Sequence, residues 1–323
     1  MKLLTITMLS ITTVCSTLYL TQKASYGSWE IKNTKQNNTN ISWANFIWVN
    51  DSLNGKYYEK IAMNIPCNIK GLPNVFTFQF DLGATLTGVY ENSYNEIINS
   101  NTEFTNNIKK TTSSTQFWKP NKCLSNFTLH FGDYIATNTC SFYYKNFGEA
   151  HKNPKASDTL HLGTIGADMF KDKVLIIDYP NKQFAILDDI PTTYNFNLMP
   201  IEIDKSGKVI LPLKMQNKSY RITFDNGSSL FPLITSAKNS TYFTNAPNMD
   251  TIQVSSWGKL HNVTGALIKD SFEIGGKKIK TTKVYTNHSS LGLDANTDAT
   301  AGNALFWNSV IVIDFKNKKF GAT

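Results

Sequence analysis

The chain has 323 residues, 41% of them hydrophobic, enough to bury one large core or two of ordinary domain size. Its 32 basic and 24 acidic residues give a formal net charge of +8, but Lys and Arg are scattered singly or in pairs. That distribution lacks the clustered footprint of a nucleic-acid binder, and the dispersed His and Cys show no metal-ligand spacing, so neither a nucleic acid nor a metal is expected.

Met1-Lys2 precedes an apolar-rich stretch, Leu3 to Leu20, interrupted by Thr and Ser and followed by Ala24. This is the layout of a secretory signal over residues 1–24. Its hydroxyls and modest length argue against a stable membrane span, so an exported chain is expected: secreted, periplasmic or held at the cell surface. Residues 25–43 are polar and Asn-rich and read as a linker or arm. From Tyr57 onward, short runs of Phe, Ile, Val, Tyr and Thr alternate with Gly, Asn, Asp and Lys clusters, which predicts an all-β architecture. Helical periodicity is brief, at Asn92–Asn99 and around Ala304–Trp307. Once a leader is removed, Cys67, Cys123 and Cys140 remain. Cys123 and Cys140 flank a strand, Gly132-Asp133 turn, strand pattern that a cross-hairpin disulfide would fit in an oxidising compartment, while Cys67 falls in an alternating, core-type run.

The chain repeats itself once. Phe76, Phe78, Phe80, Asp81 and Gly83 match Tyr220, Ile222, Phe224, Asp225 and Gly227 at an offset of 144 residues, and Ile65, Cys67 and Ile69 match Val209, Leu211 and Leu213 at the same offset. Gly166, Phe170, Val174, Ile177, Asp178, Asn181, Lys182 and Phe184 recur identically as Gly302, Phe306, Val310, Ile313, Asp314, Asn317, Lys318 and Phe320, at an offset of 136. Each half therefore runs from an amphipathic strand to Asp-x-Gly, through a long β-rich middle, to a Gly, an apolar strand ending in Asp, and a Phe strand. Pro191 and the polar run after it divide the halves, giving lobes over residues 44–195 and 196–323. Asp178 and Asp314, each ahead of an Asn-Lys pair, read as turn formers at strand ends.

A strand ending in Asp-x-Gly carries a carboxylate at its tip, and the Gly lets the backbone bend sharply beneath it. Two such tips related by an approximate twofold axis meet where the halves join, so Asp81 and Asp225 are the candidate catalytic pair. Carboxylates that close cannot both ionise comfortably; they share a proton, and one can act as base while the other acts as acid.

Phe80-Asp81-Leu82-Gly83-Ala84-Thr85 and Phe224-Asp225-Asn226-Gly227-Ser228-Ser229 resemble the two active-site loops of the pepsin-like and retropepsin-like aspartic proteases, whose usual text is Asp-Thr-Gly-Ser/Thr-Ser/Thr. Gly163-Thr164-Ile165-Gly166 and Thr300-Ala301-Gly302 are similar to the family's apolar-Gly element, and residues 302–321 to its ending. The resemblance covers most of the chain from about Tyr57 to Thr323. It implies a bilobal pepsin-like fold, two similar β-barrel-like lobes with a cleft between them. It also implies a peptide-hydrolysing activity through a water activated by the Asp dyad, without a cofactor, in a monomer whose partner is a polypeptide.

Gly83, Thr85, Asn226, Gly227 and Ser228 are then the supporting residues of the loops. The sequence departs from the pattern in the first loop. Leu82 stands where the family's Thr supplies a hydroxyl to a grip between the lobes, a role open to Asn226, and Ala84 stands where a hydroxyl normally meets the outer carboxylate oxygen, a role open to Ser228. A catalytically impaired homologue that binds peptide or glycan is the alternative these departures leave open. No counterpart of the family's flap tyrosine is evident. Trp118 and Trp257, each in a hairpin-like stretch, either cover the cleft or pack across their hairpins.

Overall fold

The computed structural model describes residues 28–35, 41–53, 55–99, 108–116, 119–151, 154–155, 157–256, 259–289 and 295–323. The leader read over residues 1–24 lies outside them, as do Trp118 and Trp257. The described chain is all-β: an 11-stranded sheet in the first half, a 10-stranded sheet in the second, and a 6-stranded sheet to which both contribute. Helix is confined to Glu91–Asn99 and shorter turns, with a 3-10 turn at Asn303–Leu305. No helix among the described residues is long and apolar enough to cross a membrane.

The repeat seen in the sequence is a repeat in space. In each half the strand leading to the Asp pairs in parallel with the strand leading to the later Gly: Val75–Phe80 with Thr159–Ile165, and Lys218–Phe224 with Ala299–Ala301. The repeated Phe residues explain what the two halves share. Phe80 lies 5.4 Å from Phe170 and 5.5 Å from Phe184, ring centre to ring centre. Their counterparts repeat the packing, with Phe224 5.6 Å from Phe306 and 5.8 Å from Phe320. All six rings are fully buried. Each contributes roughly 1.5–3 kcal/mol by burial, so losing one would cost a large fraction of a domain's net stability.

The strands Val174–Asp178 and Val310–Asp314 pair antiparallel, Val174 opposite Asp314, Ile176 opposite Val312 and Asp178 opposite Val310. Because these strands are equivalent in the repeat, the pairing is self-complementary and a pseudo-twofold axis passes between Ile176 and Val312. Asp178 and Asp314 close the turns that follow. Each carboxylate accepts the backbone N–H and the side-chain N–H of the Asn three residues on, at 3.1 and 2.8 Å for Asn181 and 2.7 and 2.8 Å for Asn317. Lys182 and Lys318 then both adopt a left-handed conformation, at φ of 54° and 53°.

The structure corrects two readings. Ile65 pairs with Phe78, whereas Leu211 pairs with Ile222, so the strand before each Asp strand is equivalent at an offset of 146 residues and not 144. A two-residue slip keeps every side chain on its original face, which is why alternation alone does not reveal it. Trp29–Asn33, within the segment read as a linker or arm, is a strand paired antiparallel with Tyr134–Asn138 at the edge of the first-half sheet. Its alternation runs for only five residues and its partners lie about a hundred residues away, so the local pattern is too short to announce it.

Cys123 and Cys140 form a disulfide, and Cys67 is a buried free thiol. The bridge ties the strand Lys119–Leu124 to the residue just before its partner strand Ser141–Tyr144. Between them lies the hairpin Phe127–Phe131 and Tyr134–Asn138, which turns at Gly132-Asp133 as read from the sequence.

Candidate active site

The parallel strand pairs bring Asp81 and Asp225 to the seam in matching environments. Asp81 N–H donates to the Ile165 carbonyl and Asp225 N–H to the Ala301 carbonyl, both at 2.9 Å, so each loop is seated on the residue before its half's later Gly. Each carboxyl group lies within hydrogen-bonding reach of the other, close enough to shift its pKa. Their proximity fixes the Gly at the second position after each Asp. A β-carbon on Gly83 would lie 2.4 Å from Asp225 Cγ, and one on Gly227 would lie 2.4 Å from Asp81 Cγ. Each loop thus packs its glycine against the opposite acid, and no larger residue fits either place. Gly166 and Gly302 sit beneath: a β-carbon there would lie 2.7 Å from the Ala84 carbonyl oxygen and 1.9 Å from that of Ser228. That close approach is the spatial content of the repeated apolar-Gly element.

Both carboxyls are removed from solvent, with Asp81 0% and Asp225 2% exposed. Burial pushes both pKa values up; the negative charge of Asp225 and its hydrogen bond raise Asp81 further, while the same hydrogen bond lowers Asp225. Asp225 is the better-supported anion. Its Oδ1 accepts the Gly227 and Ser228 N–H groups at 2.9 and 3.2 Å, and the positive charge of Lys208, itself buried, favours its ionised form. Asp81 Oδ1 accepts the Ala84 N–H at 3.0 Å, and its Oδ2 is buried without a hydrogen-bond partner. The two acids therefore titrate as a coupled pair, with the ionised form better supported at Asp225.

One hydrogen bond joins the two Asp-x-Gly loops directly. Asn226 Oδ1 accepts the Leu82 N–H at 2.5 Å, the reach across the seam that the sequence left open to Asn226. Leu82 returns nothing polar; its side chain is fully buried in the main core cluster. Ser228 supports Asp225 through its backbone N–H alone, because its hydroxyl is buried without a partner. Thr85 is half-buried.

Two supporting residues were missed by the sequence reading. Asn303, fully buried after Gly302, donates through Nδ2 to the Asn226 carbonyl at 2.8 Å and to Ser229 Oγ at 3.1 Å, and its Oδ1 accepts the Tyr179 hydroxyl. Asp168, in the corresponding turn of the first half, accepts hydrogen bonds from Thr87 and Trp29. The available signal was position: both lie one or two residues after the repeated Gly that touches the Asp-x-Gly loop.

No protein-family model matches the chain, and no curated protein does. Among solved structures it is similar to the aspartic proteinase from Irpex lacteus, at 12% identity and a TM-score of 0.43, over 81% of this chain and 94% of that one. The assignment of paired halves and a central acid pair rests on the strand register and contacts described above. Among the described residues no cluster of His, Cys, Asp and Glu could hold a metal ion.

Proposed function

We propose that this protein is an aspartic-type endopeptidase in which Asp81 and Asp225 activate a water against a peptide carbonyl. The supporting observation is the adjacent pair of buried carboxyls, each on a loop of one half and each packed on the other half's glycine. The ionised Asp225 takes a proton from the water as its oxygen bonds to the carbonyl carbon, and the protonated Asp81 gives its proton to the carbonyl oxygen. The tetrahedral diol then collapses: Asp225 gives its proton to the amide nitrogen, the C–N bond breaks and the amine leaves, and a diol hydroxyl gives its proton to Asp81, which restores the starting pair. No covalent intermediate and no cofactor enter. Both acids come from one chain, so a monomer suffices. The signal-like first residues and the Cys123–Cys140 bridge support export to an oxidising compartment.

The deciding experiment incubates purified protein lacking residues 1–24 with an unfolded polypeptide from acid to neutral pH, beside its Asp225→Asn variant. Cleavage by the first and none by the second supports the proposal; no cleavage by either at any pH sinks it. A second reading, a peptide- or glycan-binding homologue without activity, is favoured by the unpartnered Asp81 Oδ2 and by Leu82 in place of a hydroxyl. It expects ligand affinity that survives loss of either acid.

A further inference from the structure

We propose that Asp168 is a positioning residue for the first catalytic loop, acting through Thr87, and that Trp29 of the N-terminal strand completes its support. The inference rests on the reading of Asp81 and Asp225 as a catalytic pair. Asp168 lies in the 3-10 turn Ala167–Phe170, immediately beyond Gly166. Its Oδ1 accepts both the Thr87 N–H at 2.7 Å and the Thr87 hydroxyl at 2.6 Å, and its Oδ2 accepts the Trp29 indole N–H at 3.2 Å. With its proton committed to Asp168, the Thr87 hydroxyl accepts the Gly166 N–H at 2.9 Å. The Ala167 N–H donates to the Ala84 carbonyl at 2.9 Å, and the Asp81 N–H to Ile165 at 2.9 Å. The segment from Asp81 to Thr87 is thereby tied at both ends and in the middle to residues 165–168.

The second half performs the same task with a different residue. There Asn303 holds the Asn226 carbonyl and Ser229 Oγ. Under the 136-residue offset, Asn303 corresponds to Ala167 and Asp168 to Ala304, so each turn carries one polar support at one of two adjacent positions and Ala at the other. A carboxylate is an expensive way to fill a partly buried turn, and burial does push the Asp168 pKa up, to about 6, against its hydrogen bonds. Its place is explained by the first loop, where Leu82 and Ala84 give Asp81 no side-chain hydrogen bond and placement falls to this framework. Small displacements of a reacting group can cost about 100-fold in rate, so the framework bears on turnover more than on substrate affinity.

The test uses Asp168→Asn and Trp29→Phe in the full mature chain. Asp168→Asn puts an NH₂ group against the Trp29 N–H or the Thr87 donors; Trp29→Phe removes one donor and leaves the ring. With an unfolded polypeptide substrate, kcat is expected to fall about 10-fold or more in Asp168→Asn and less in Trp29→Phe, with KM within about twofold of wild type. Carbon-13 NMR of the aspartate carboxyls follows the catalytic pair directly. A loosened pair is less strongly coupled, so its two titration midpoints are expected to draw closer in both variants. A merely structural role would lower thermal stability while leaving both the midpoints and the kcat-to-KM pattern unchanged. Unchanged midpoint separation in both variants, or in Trp29→Phe alone where Asp168→Asn does not fold, overturns the proposal. Because the titration needs no turnover, it decides the matter even if the wild-type protein cleaves nothing.

Discussion

The Leu82 N–H donates to Asn226 Oδ1 across the seam at 2.5 Å, and nothing of Leu82 reciprocates. The link between the two Asp-x-Gly loops is therefore one-sided and rests on the Asn226 amide. Asn226→Ala leaves the Leu82 N–H buried without a partner and should cost about 1–3 kcal/mol of stability. It should also lower kcat more than it raises KM, because the acid pair is carried by the two loops the bond joins. Chemical denaturation and steady-state kinetics check both; wild-type stability in the variant would show that the bond contributes nothing.

The glycines of the two loops give a sharper prediction. With a β-carbon at position 83 or 227 reaching within 2.4 Å of the opposite carboxyl carbon, Gly83→Ala and Gly227→Ala must push the acids apart. Activity should fall at least as far as in Asp225→Asn, while circular dichroism remains that of a β protein. A Gly227→Ala variant of near wild-type activity would mean that the acids do not approach each other as closely as described.

How far the sequence revealed this arrangement depends on the range of the interaction concerned. The Phe residues at 80, 170 and 184 and their counterparts at 224, 306 and 320 were legible because each half must fill the same space beneath its acid, which keeps identity at fixed spacing. Asp178 and Asp314 were legible as turn formers because their partners lie three residues away. Asp168 was not, since its donors come from residues 81 and 139 positions distant, and one belongs to a five-residue strand whose alternation is too short to stand out from its polar surroundings. The register slip before Asp225 was hidden for the opposite reason: period-two alternation looks the same after a shift of two.

Burial of the acid pair ties activity to stability in opposite directions. Both pKa values are raised in the folded chain, so the folded state keeps its protons to higher pH than the unfolded chain, whose aspartates release theirs near about 3.9. The contribution of the pair to stability is therefore fully present below that value and is lost as pH rises through the folded values. Asp81→Asn removes the coupled ionisation. It should abolish cleavage yet raise the melting temperature near neutral pH, by the equivalent of roughly 1–3 kcal/mol, with the two proteins converging in acid. Melting curves from acid to neutral pH test the sign; a variant less stable than wild type at neutral pH would contradict it.

The Cys123–Cys140 bridge sits where one hairpin joins the first-half sheet. The hairpin of Ile108–Gln116 and Lys119–Leu124 meets the sheet through Leu124 opposite Ser141 and Cys123 opposite Phe142. The bridge spans a sequence separation of 17 residues, and closing a loop of about 15 residues is worth about 3 kcal/mol through the unfolded chain. Replacing both cysteines with Ser should lower stability by about that amount. It should also raise amide hydrogen exchange in residues 108–124 more than in the second-half sheet, since the backbone pairing with Ser141–Tyr144 is short. Exchange measured by mass spectrometry on both proteins separates the outcomes. An increase spread evenly over both halves would show that the bridge acts only on the unfolded chain and does not fasten the hairpin in the folded one.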